Sequence, residues 1–152
     1  MAQEESICLR STLHASFKET YYRIPEPSAV YSPDILVFRV SSTDELPKNE
    51  HFFVDVISVA AILGPNVVVA REKGCGKLVL GALGCGVFRN PPEEVARIFK
   101  KVIFGGRKRA GVKGVEEVVF AIFDEGENLD AFREVFEDIM ETEDGSGEKH
   151  VS

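Results

Sequence analysis

An α/β fold is predicted by apolar segments that alternate with amphipathic helical segments along the 152 residues. Three segments are almost wholly apolar, as in strands of a sheet with both faces covered: residues 52–63, 77–82 and 115–124. Helical patterns follow the second and third of these segments. Apolar strands alternating with helices are typical of a mostly parallel sheet covered by helices, in which ligands lie beyond the carboxyl ends of the strands.

The first half of the chain is predicted to hold one helix and two strands. Leu9, Leu13 and Phe17 recur at a spacing of four and indicate a helix over residues 2–18. A Pro-rich irregular connection and two strands are expected to follow: residues 21–34, 35–40 and 52–63. Residues 64–76 are interpreted as a short connector without a helix of its own.

The helix that follows strand 77–82 has the clearest end signals. Asn90 is a favoured N-cap, Pro91 suits the first helical position, and Glu93 matches the acid of a capping box. The apolar stripe of this helix consists of Val95, Ile98, Phe99, Val102 and Ile103. Gly105 and Gly106 are expected to end it.

The last part of the chain is predicted to form a strand, a helix and a tail. Residues 115–124 are the strand and residues 127–140 the helix. The inward side of that helix is expected to carry Leu129, Phe132, Phe136 and Ile139. The predicted domain covers residues 1–141, and the acidic, Gly- and Ser-containing residues 142–152 are expected to be a disordered tail.

Charge and cysteine content restrict the function class. The net charge of −7 argues against nucleic-acid or membrane binding driven by bulk charge, so no direct nucleic-acid partner and no membrane partner is expected. A basic run is more typical of a solvated loop than of a phosphate contact: Arg107, Lys108, Arg109 and Lys113. Three cysteines without a CxxC pair favour free thiols in a reducing compartment. No basic and then apolar targeting segment is visible, so a cytoplasmic or nuclear location is expected. Three scattered histidines indicate no metal site, and no cofactor is expected.

Gly81, Gly84 and Gly86 stand between strand 77–82 and the helix near Pro91. Glycines there let backbone N–H groups face a ligand at a helix N-terminus, and phosphate is the natural guest. The pattern G-x-x-G-x-G is neither a Walker loop nor a dinucleotide fingerprint. A tight strand-to-helix turn without a ligand is an equally good interpretation of the spacing alone.

Three neighbours of these glycines have two interpretations each. Cys85 is more plausible as a small packing residue than as a reactive thiol, since no histidine is near in sequence. Val87 and Phe88 either cap the core or form a wall against a sugar or base beside the phosphate site.

Gln3, Glu4 and Glu5 open the first predicted helix. Adjacent helical carboxylates project about 100° apart and can take separate roles, one holding hydroxyl groups and one acting as an acid. The helix dipole alone also favours acidic residues at this position, and from the motif alone that is the better explanation.

Three segments in order resemble the microbial-type poly(ADP-ribose) glycohydrolase family, whose catalytic unit is a macrodomain. They are "AQEESICLRSTLH" (2–14), "YSPDILVFR" (31–39) and "LVLGALGCGVFRNPPEEVARIF" (78–99), and the resemblance extends over most of residues 2–124. It implies a three-layer α/β/α macrodomain-like fold with a mixed, mostly parallel sheet. It also implies that ADP-ribose or poly(ADP-ribose) is the ligand.

The resemblance also implies roles for single residues. Glu5 would be the catalytic acid, and Glu4, with Gln3 in the same signature, would help to hold the ribose hydroxyls. The segment Gly84, Cys85, Gly86, Val87 and Phe88 would bind the diphosphate, with Phe88 orienting the terminal ribose.

One part of the family signature is not present in this sequence. A glycine triplet precedes Gln-Glu-Glu in the family, whereas only Met1 and Ala2 precede it here. We therefore expect a partial domain that is incomplete at its N-terminus, poorly stable and catalytically weak or inactive. A non-catalytic ADP-ribose reader and a vestigial structural domain are the alternatives to a glycohydrolase.

Overall fold

The structure is a computed structural model that describes residues 3–21, 24, 28–59, 65–106, 109–111, 113–123 and 125–140. The chain divides into two compact units, Met1–Ala60 and Ala61–Ser152, here called the N-terminal and C-terminal units. The predicted tail over residues 142–152 lies outside the described residues. None of the helices in the described ranges is long and apolar enough to cross a membrane.

The N-terminal unit consists of short helices and a two-stranded antiparallel sheet. Its helices and strands are α1 (Gln3–Arg10), α2 (Leu13–Ser16), β1 (Ala29–Val37) and β2 (Phe52–Val59), with 3-10 turns at Glu19–Tyr21 and Lys48–Glu50. β1 and β2 run antiparallel, with Ala29 opposite Val59 and Val37 opposite Phe52.

The single helix predicted over residues 2–18 is wrong, because the chain leaves the helix at Ser11. Ser11 forms an isolated antiparallel bridge with Val37, and the Thr12 N–H donates to the Leu36 carbonyl at 3.0 Å. The Ser11 hydroxyl donates to the Ile7 carbonyl at 2.8 Å, so the side chain competes with the helical bonding pattern. Of the predicted stripe, Leu13 is fully buried and Leu9 is exposed.

β1 begins at Ala29, so the irregular connection predicted over residues 21–34 ends earlier than expected. The register shifts between Ser32 and Ile35, and this bulge accommodates Pro33, which has no N–H for the ladder. Asp34 sits in the bulge at a φ of 55°. A carboxylate of β2 supports the bulge, since Asp55 accepts from the Asp34 N–H at 3.0 Å.

β2 is not buried on both faces. Phe52 and Phe53 are 50% and 67% exposed, and the residues that follow to Val59 are half-buried apart from the exposed Asp55. In the described ranges β2 pairs only with β1, which explains why an apolar run did not become a central strand. Residues 60–63 of the predicted strand lie outside the described residues.

The described residues of the C-terminal unit form three helices and two small sheets. Its elements are α3 (Pro65–Glu72), β3 (Lys77–Leu80), α4 (Pro92–Phe104), β4 (Gly105–Gly106), β5 (Arg109–Ala110), β6 (Glu117–Phe120) and α5 (Glu127–Met140). β3 and β6 pair in parallel, with Leu80 opposite Phe120, while β4 and β5 pair antiparallel. The described pairs are therefore mixed, and parallel pairing occurs only where a helix lies between the two strands in the sequence.

A helix occupies the segment that was predicted to be a plain connector. α3 spans Pro65–Glu72, and its Val67 and Ala70 are fully buried. The prediction of a connector was wrong because "NVVVA" has β-branched residues of low helix propensity, and burial of one face overrides that preference. β3 and β6 are shorter than the strands predicted over 77–82 and 115–124.

α4 begins one cap position later than predicted. Pro91 is its N-cap and Pro92 its first residue, so Asn90 lies just outside the helix and Glu93 is not at the capping-box position. Val95, Ala96 and Phe99 are its buried residues, whereas Ile98 of the predicted stripe is 41% exposed. The helix ends at Gly105 as predicted, with a φ of 85° that favours glycine.

A cluster of four phenylalanines joins α4, β6 and α5. Phe99 lies edge to face with Phe120 at 5.5 Å between ring centroids, and Phe120 contacts Phe132 at 5.1 Å and Phe136 at 5.0 Å. Phe99, Phe132 and Phe136 are each at most 8% exposed. α5 has the predicted bounds, 127–140, and these rings confirm its predicted inward side. This core supports one side of the β3–β6 pair and hence the loop that leaves β3.

Candidate functional site

The glycine-rich loop leaves the carboxyl end of β3 and enters the first turn of α4. Gly84 has a φ of 76°, in the left-handed region that glycine alone occupies at low cost. Four backbone hydrogen bonds fold the loop on itself: Leu83 N–H to Gly81 O (2.8 Å), Cys85 N–H to Ala82 O (3.1 Å), Arg89 N–H to Gly86 O (3.0 Å) and Asn90 N–H to Gly84 O (3.0 Å). The loop is thus a defined turn.

The tip of this loop presents unpaired backbone donors. Within the described part of the chain, the N–H groups of Gly86, Val87 and Phe88 donate to no protein acceptor. All three residues are exposed, and the Val87 and Phe88 side chains are 94% and 71% accessible. The prediction that these two side chains cap the core is wrong. Consecutive free N–H groups beside a helix N-terminus form a concave site for an anion.

Gly86 has no structural reason within the described residues to be glycine. A Cβ placed on it would meet nothing within 4 Å, and its φ lies outside the left-handed region. Gly111 is the opposite case, because a Cβ there would come to 2.4 Å from the Ile103 carbonyl. A bare Cα in open space is what a ligand that approaches the backbone requires.

A polar cavity of about 460 Å³ opens beside the loop. Its lining residues come from the loop, the start of α4 and the start of α5: Cys85, Arg89, Asn90, Pro91, Pro92, Glu127 and Asn128. The N-terminal ends of two helices thus meet one cavity, and the positive ends of their dipoles favour an anion there.

Gln3, Glu4 and Glu5 form the first turn of α1. Gln3 and Glu5 are exposed, whereas Glu4 is half-buried. Glu4 and Cys8 are four residues apart and share a helix face. Burial and then the negative charge of Glu4 raise the pKa of the Cys8 thiol. Glu4 is thus less accessible to solvent than Glu5.

Structural comparison places the chain among solved glycohydrolases. The poly(ADP-ribose) glycohydrolase of Deinococcus radiodurans, solved in complex with ADP-ribose, is 30% identical; the match covers 91% of this chain and 69% of that chain, with a TM-score of 0.69. The enzyme of Thermomonospora curvata is 29% identical over 90% of this chain and 61% of that chain, with a TM-score of 0.71. The chain belongs to the microbial poly(ADP-ribose) glycohydrolase family.

A third match carries an inhibitor. The Thermomonospora curvata glycohydrolase bound to ADP-HPD is 28% identical, with a TM-score of 0.65 over 88% of this chain and 62% of that chain. No protein-family model and no curated protein matched the sequence. The family membership confirms the α/β, macrodomain-like fold class expected from the three sequence segments.

Within this family assignment, the predicted site residues fall into two groups. Gly84 to Phe88 form one continuous loop in the C-terminal unit, and Gln3 to Glu5 form one helical turn in the N-terminal unit. Each group lies in its own unit, and the binding of one ligand by both groups stays a prediction.

Burial raises the pKa of the Cys85 thiol, which reduces its thiolate character and favours the packing role predicted for it.

Sequence reasoning missed Phe123 of this glycohydrolase-family chain. Its side chain is fully exposed, three residues after β6. Because β3 and β6 are paired in parallel, the segments that follow them start from the same edge of the sheet. An aromatic residue at the end of the predicted strand 115–124, in "VVFAIFD", was the available signal.

Proposed function

We propose that this chain binds ADP-ribose units and hydrolyses ribose–ribose glycosidic bonds in poly(ADP-ribose). The observation that carries the proposal is the exposed loop tip at Gly86, Val87 and Phe88, with three free N–H groups and a bare Cα, in a member of this family. Such a tip suits the diphosphate of ADP-ribose.

Binding in this proposal begins at the diphosphate. The N–H groups of Gly86, Val87 and Phe88 donate to its oxygens, and the N-terminal end of α4 adds a favourable dipole. Charge-assisted hydrogen bonds of this kind are about twice as strong as neutral ones. The diphosphate is thus the anchor that orients both ends of the ligand.

Exposed apolar side chains supply the walls for the uncharged parts of the ligand. Phe88 is assigned to the terminal ribose, and Val87 lies beside it at the loop tip. Phe123 is assigned as a stacking surface for the adenine base, since a fully exposed aromatic ring offers one complete face. Each base-on-aromatic contact contributes about 1–3 kcal/mol in comparable nucleotide sites.

Catalysis is assigned to Glu5, with Glu4 as a positioning group. Cleavage of a ribose–ribose bond passes through an oxocarbenium-like state, so the leaving oxygen needs a proton. Glu5 donates that proton as a carboxylic acid and then, as a carboxylate, removes one from the attacking water. Glu4, which is half-buried in the first turn of α1, accepts hydrogen bonds from ribose hydroxyls.

The test is release of ADP-ribose from poly(ADP-ribose) by the parent chain and by Glu5→Gln. We expect the substitution to lower the rate about 100- to 10,000-fold, the usual contribution of a general acid–base group. Calorimetry should give an ADP-ribose Kd within about threefold of the parent. Glu19→Gln, at another exposed glutamate of the N-terminal unit, is the matched control and should keep full activity.

Each other outcome decides between functions. A parent chain that binds ADP-ribose but releases none from the polymer would be a reader, and the glycohydrolase proposal would be wrong. A parent chain that gives no heat with ADP-ribose would overturn both functions. Equal turnover by the parent and Glu5→Gln would remove Glu5 from the reaction.

A further inference from the structure

Arg89 has a backbone conformation that an arginine does not favour. Its φ is 52°, and among the described residues Asp34 is the other non-glycine residue with a positive φ. The Arg89 N–H bond to the Gly86 carbonyl and the Asn90 N–H bond to the Gly84 carbonyl hold this conformation. The same loop uses glycine at Gly84, where φ is 76°. A side chain retained in a strained position at a functional loop points to a role for that side chain.

The Arg89 side chain is also available to a ligand. Arg89 is exposed, lines the 460 Å³ cavity beside the loop tip, and forms no ion pair within the described ranges. Arg97, the sixth residue of α4, by contrast forms an ion pair with Glu93. Arg89 is therefore an unengaged cation directly after the three free N–H groups of Gly86, Val87 and Phe88.

We infer that Arg89 is an additional substrate-binding residue whose guanidinium contacts the diphosphate held by the loop, an inference that rests on the proposed function. A guanidinium presents a planar pair of N–H donors that matches two phosphate oxygens. Its positive charge also neutralises negative charge of the diphosphate, which uncharged backbone N–H groups do not. Glu127 lines the same cavity and, as an anion, opposes a diphosphate there. The positive charge of Arg89 offsets this repulsion. The gain in affinity for the diphosphate thus compensates the strain in the Arg89 backbone.

The experiment compares ADP-ribose affinity and thermal stability in Arg89→Gly, Arg89→Lys and Arg97→Gln. Arg89→Gly should raise the Kd about tenfold and leave the Tm unchanged or higher, because glycine adopts this φ without strain. Arg89→Lys keeps the charge but loses the planar pair of N–H donors and should fall between Arg89→Gly and the parent. Arg97→Gln removes a positive charge that does not line the cavity and should bind like the parent.

Salt dependence separates a phosphate contact from a purely steric effect. The ratio of the Arg89→Gly Kd to the parent Kd should fall as NaCl rises from about 50 to 500 mM, since screening weakens an exposed charge contact.

Four results would contradict the inference. If the parent binds ADP-ribose and Arg89→Gly binds within twofold of it, the role of Arg89 is refuted while the proposed function stands. A Tm of Arg89→Gly clearly below that of the parent would show that the side chain supports the loop instead. A ratio of the Arg89→Gly Kd to the parent Kd that does not change with salt would exclude the ionic contact. No binding by the parent would remove the proposed function and this inference together.

Discussion

At the scale of the residue, Gly86 is a position where a substitution should affect ligand binding and not the stability of the fold. A Cβ at this position meets no described protein atom within 4 Å. We therefore predict that Gly86→Val keeps the stability within about 0.5 kcal/mol, as at ordinary surface sites. The same substitution should abolish detectable ADP-ribose binding, because the added methyl groups stand where the diphosphate approaches. Chemical denaturation and calorimetry on one sample measure both quantities.

Gly84 and Gly76 are controls for this prediction. Gly84→Ala should lose about 1 kcal/mol of stability, because its φ of 76° disfavours a side chain. Gly76→Ala should change neither stability nor binding, since its Cβ would meet the Glu116 side chain at an ordinary 3.7 Å. Parent-like ADP-ribose binding by Gly86→Val would refute the assignment of the loop tip.

Asp55 gives a second prediction, on pH dependence. The hydroxyl of Tyr31 donates to Asp55 at 2.6 Å, and this bond, followed by the Asp34 N–H, lowers the pKa of the Asp55 carboxyl. A lowered pKa in the folded state stabilises the fold above the ordinary aspartate pKa. That contribution is lost as the pH falls through the lowered value.

Tyr31→Phe should raise the pKa of Asp55 toward its ordinary value and weaken the acid dependence of stability. Carboxyl NMR over a pH series measures the first effect, and thermal melts over the same series measure the second. Tyr21→Phe, in the 3-10 turn at Glu19–Tyr21, is the control. An Asp55 titration that is the same in Tyr31→Phe and the parent would contradict the account.

The residues that sequence reasoning found at the site are those with a chemical signature. Residue type and spacing alone reveal the glycines between a strand and a helix. They also reveal the paired carboxylates in a first helical turn. They do not reveal Arg89 and Phe123, because a positive φ and complete exposure are properties of the folded chain. The roles proposed for them rest on geometry that composition and periodicity do not encode.

At the scale of the element, helices with a strong apolar period were predictable. α5 has the predicted bounds, 127–140, because its apolar residues recur at helical spacing and Phe132 and Phe136 among them are buried. The helix predicted over 2–18 was interrupted because Ser11 pairs with Val37, a contact between segments far apart in the sequence. Tertiary pairing of that kind overrides a local period, and the sequence of a single protein does not reveal it.

The packing of α4 supports a prediction on stability. Phe99 is 1% exposed and its ring lies 5.5 Å from Phe120 and 6.4 Å from Phe132. Phe99→Ala should cost about 3–5 kcal/mol, the usual penalty for a large cavity in a core. Urea unfolding followed by circular dichroism measures it.

Phe104→Ala is the matched control, since Phe104 is 55% exposed and contacts Phe136 with its ring at 6.3 Å. The loss of stability there should be about half of that at Phe99, following the smaller buried area. Equal losses at the two positions would show that the phenylalanine cluster is not the core of the C-terminal unit.

At the scale of the whole molecule, the proposed function is shared between two units. The N-terminal unit carries Glu4 and Glu5, and the C-terminal unit carries the loop from Gly84 to Phe88. We therefore expect Glu5→Gln to lower turnover without changing ADP-ribose affinity, and Gly86→Val to lower both. Kinetic assays with poly(ADP-ribose) and calorimetry with ADP-ribose separate the two effects. A loss of affinity in Glu5→Gln as large as that in Gly86→Val would contradict this division.

The most direct measurement of the central claim is an amide NMR titration of the parent chain with ADP-ribose. We predict that the largest shifts occur at the N–H groups of Gly86, Val87 and Phe88, accompanied by shifts at Gln3, Glu4 and Glu5. Saturable shifts elsewhere with these six amides unmoved, or no shifts at all, would contradict it.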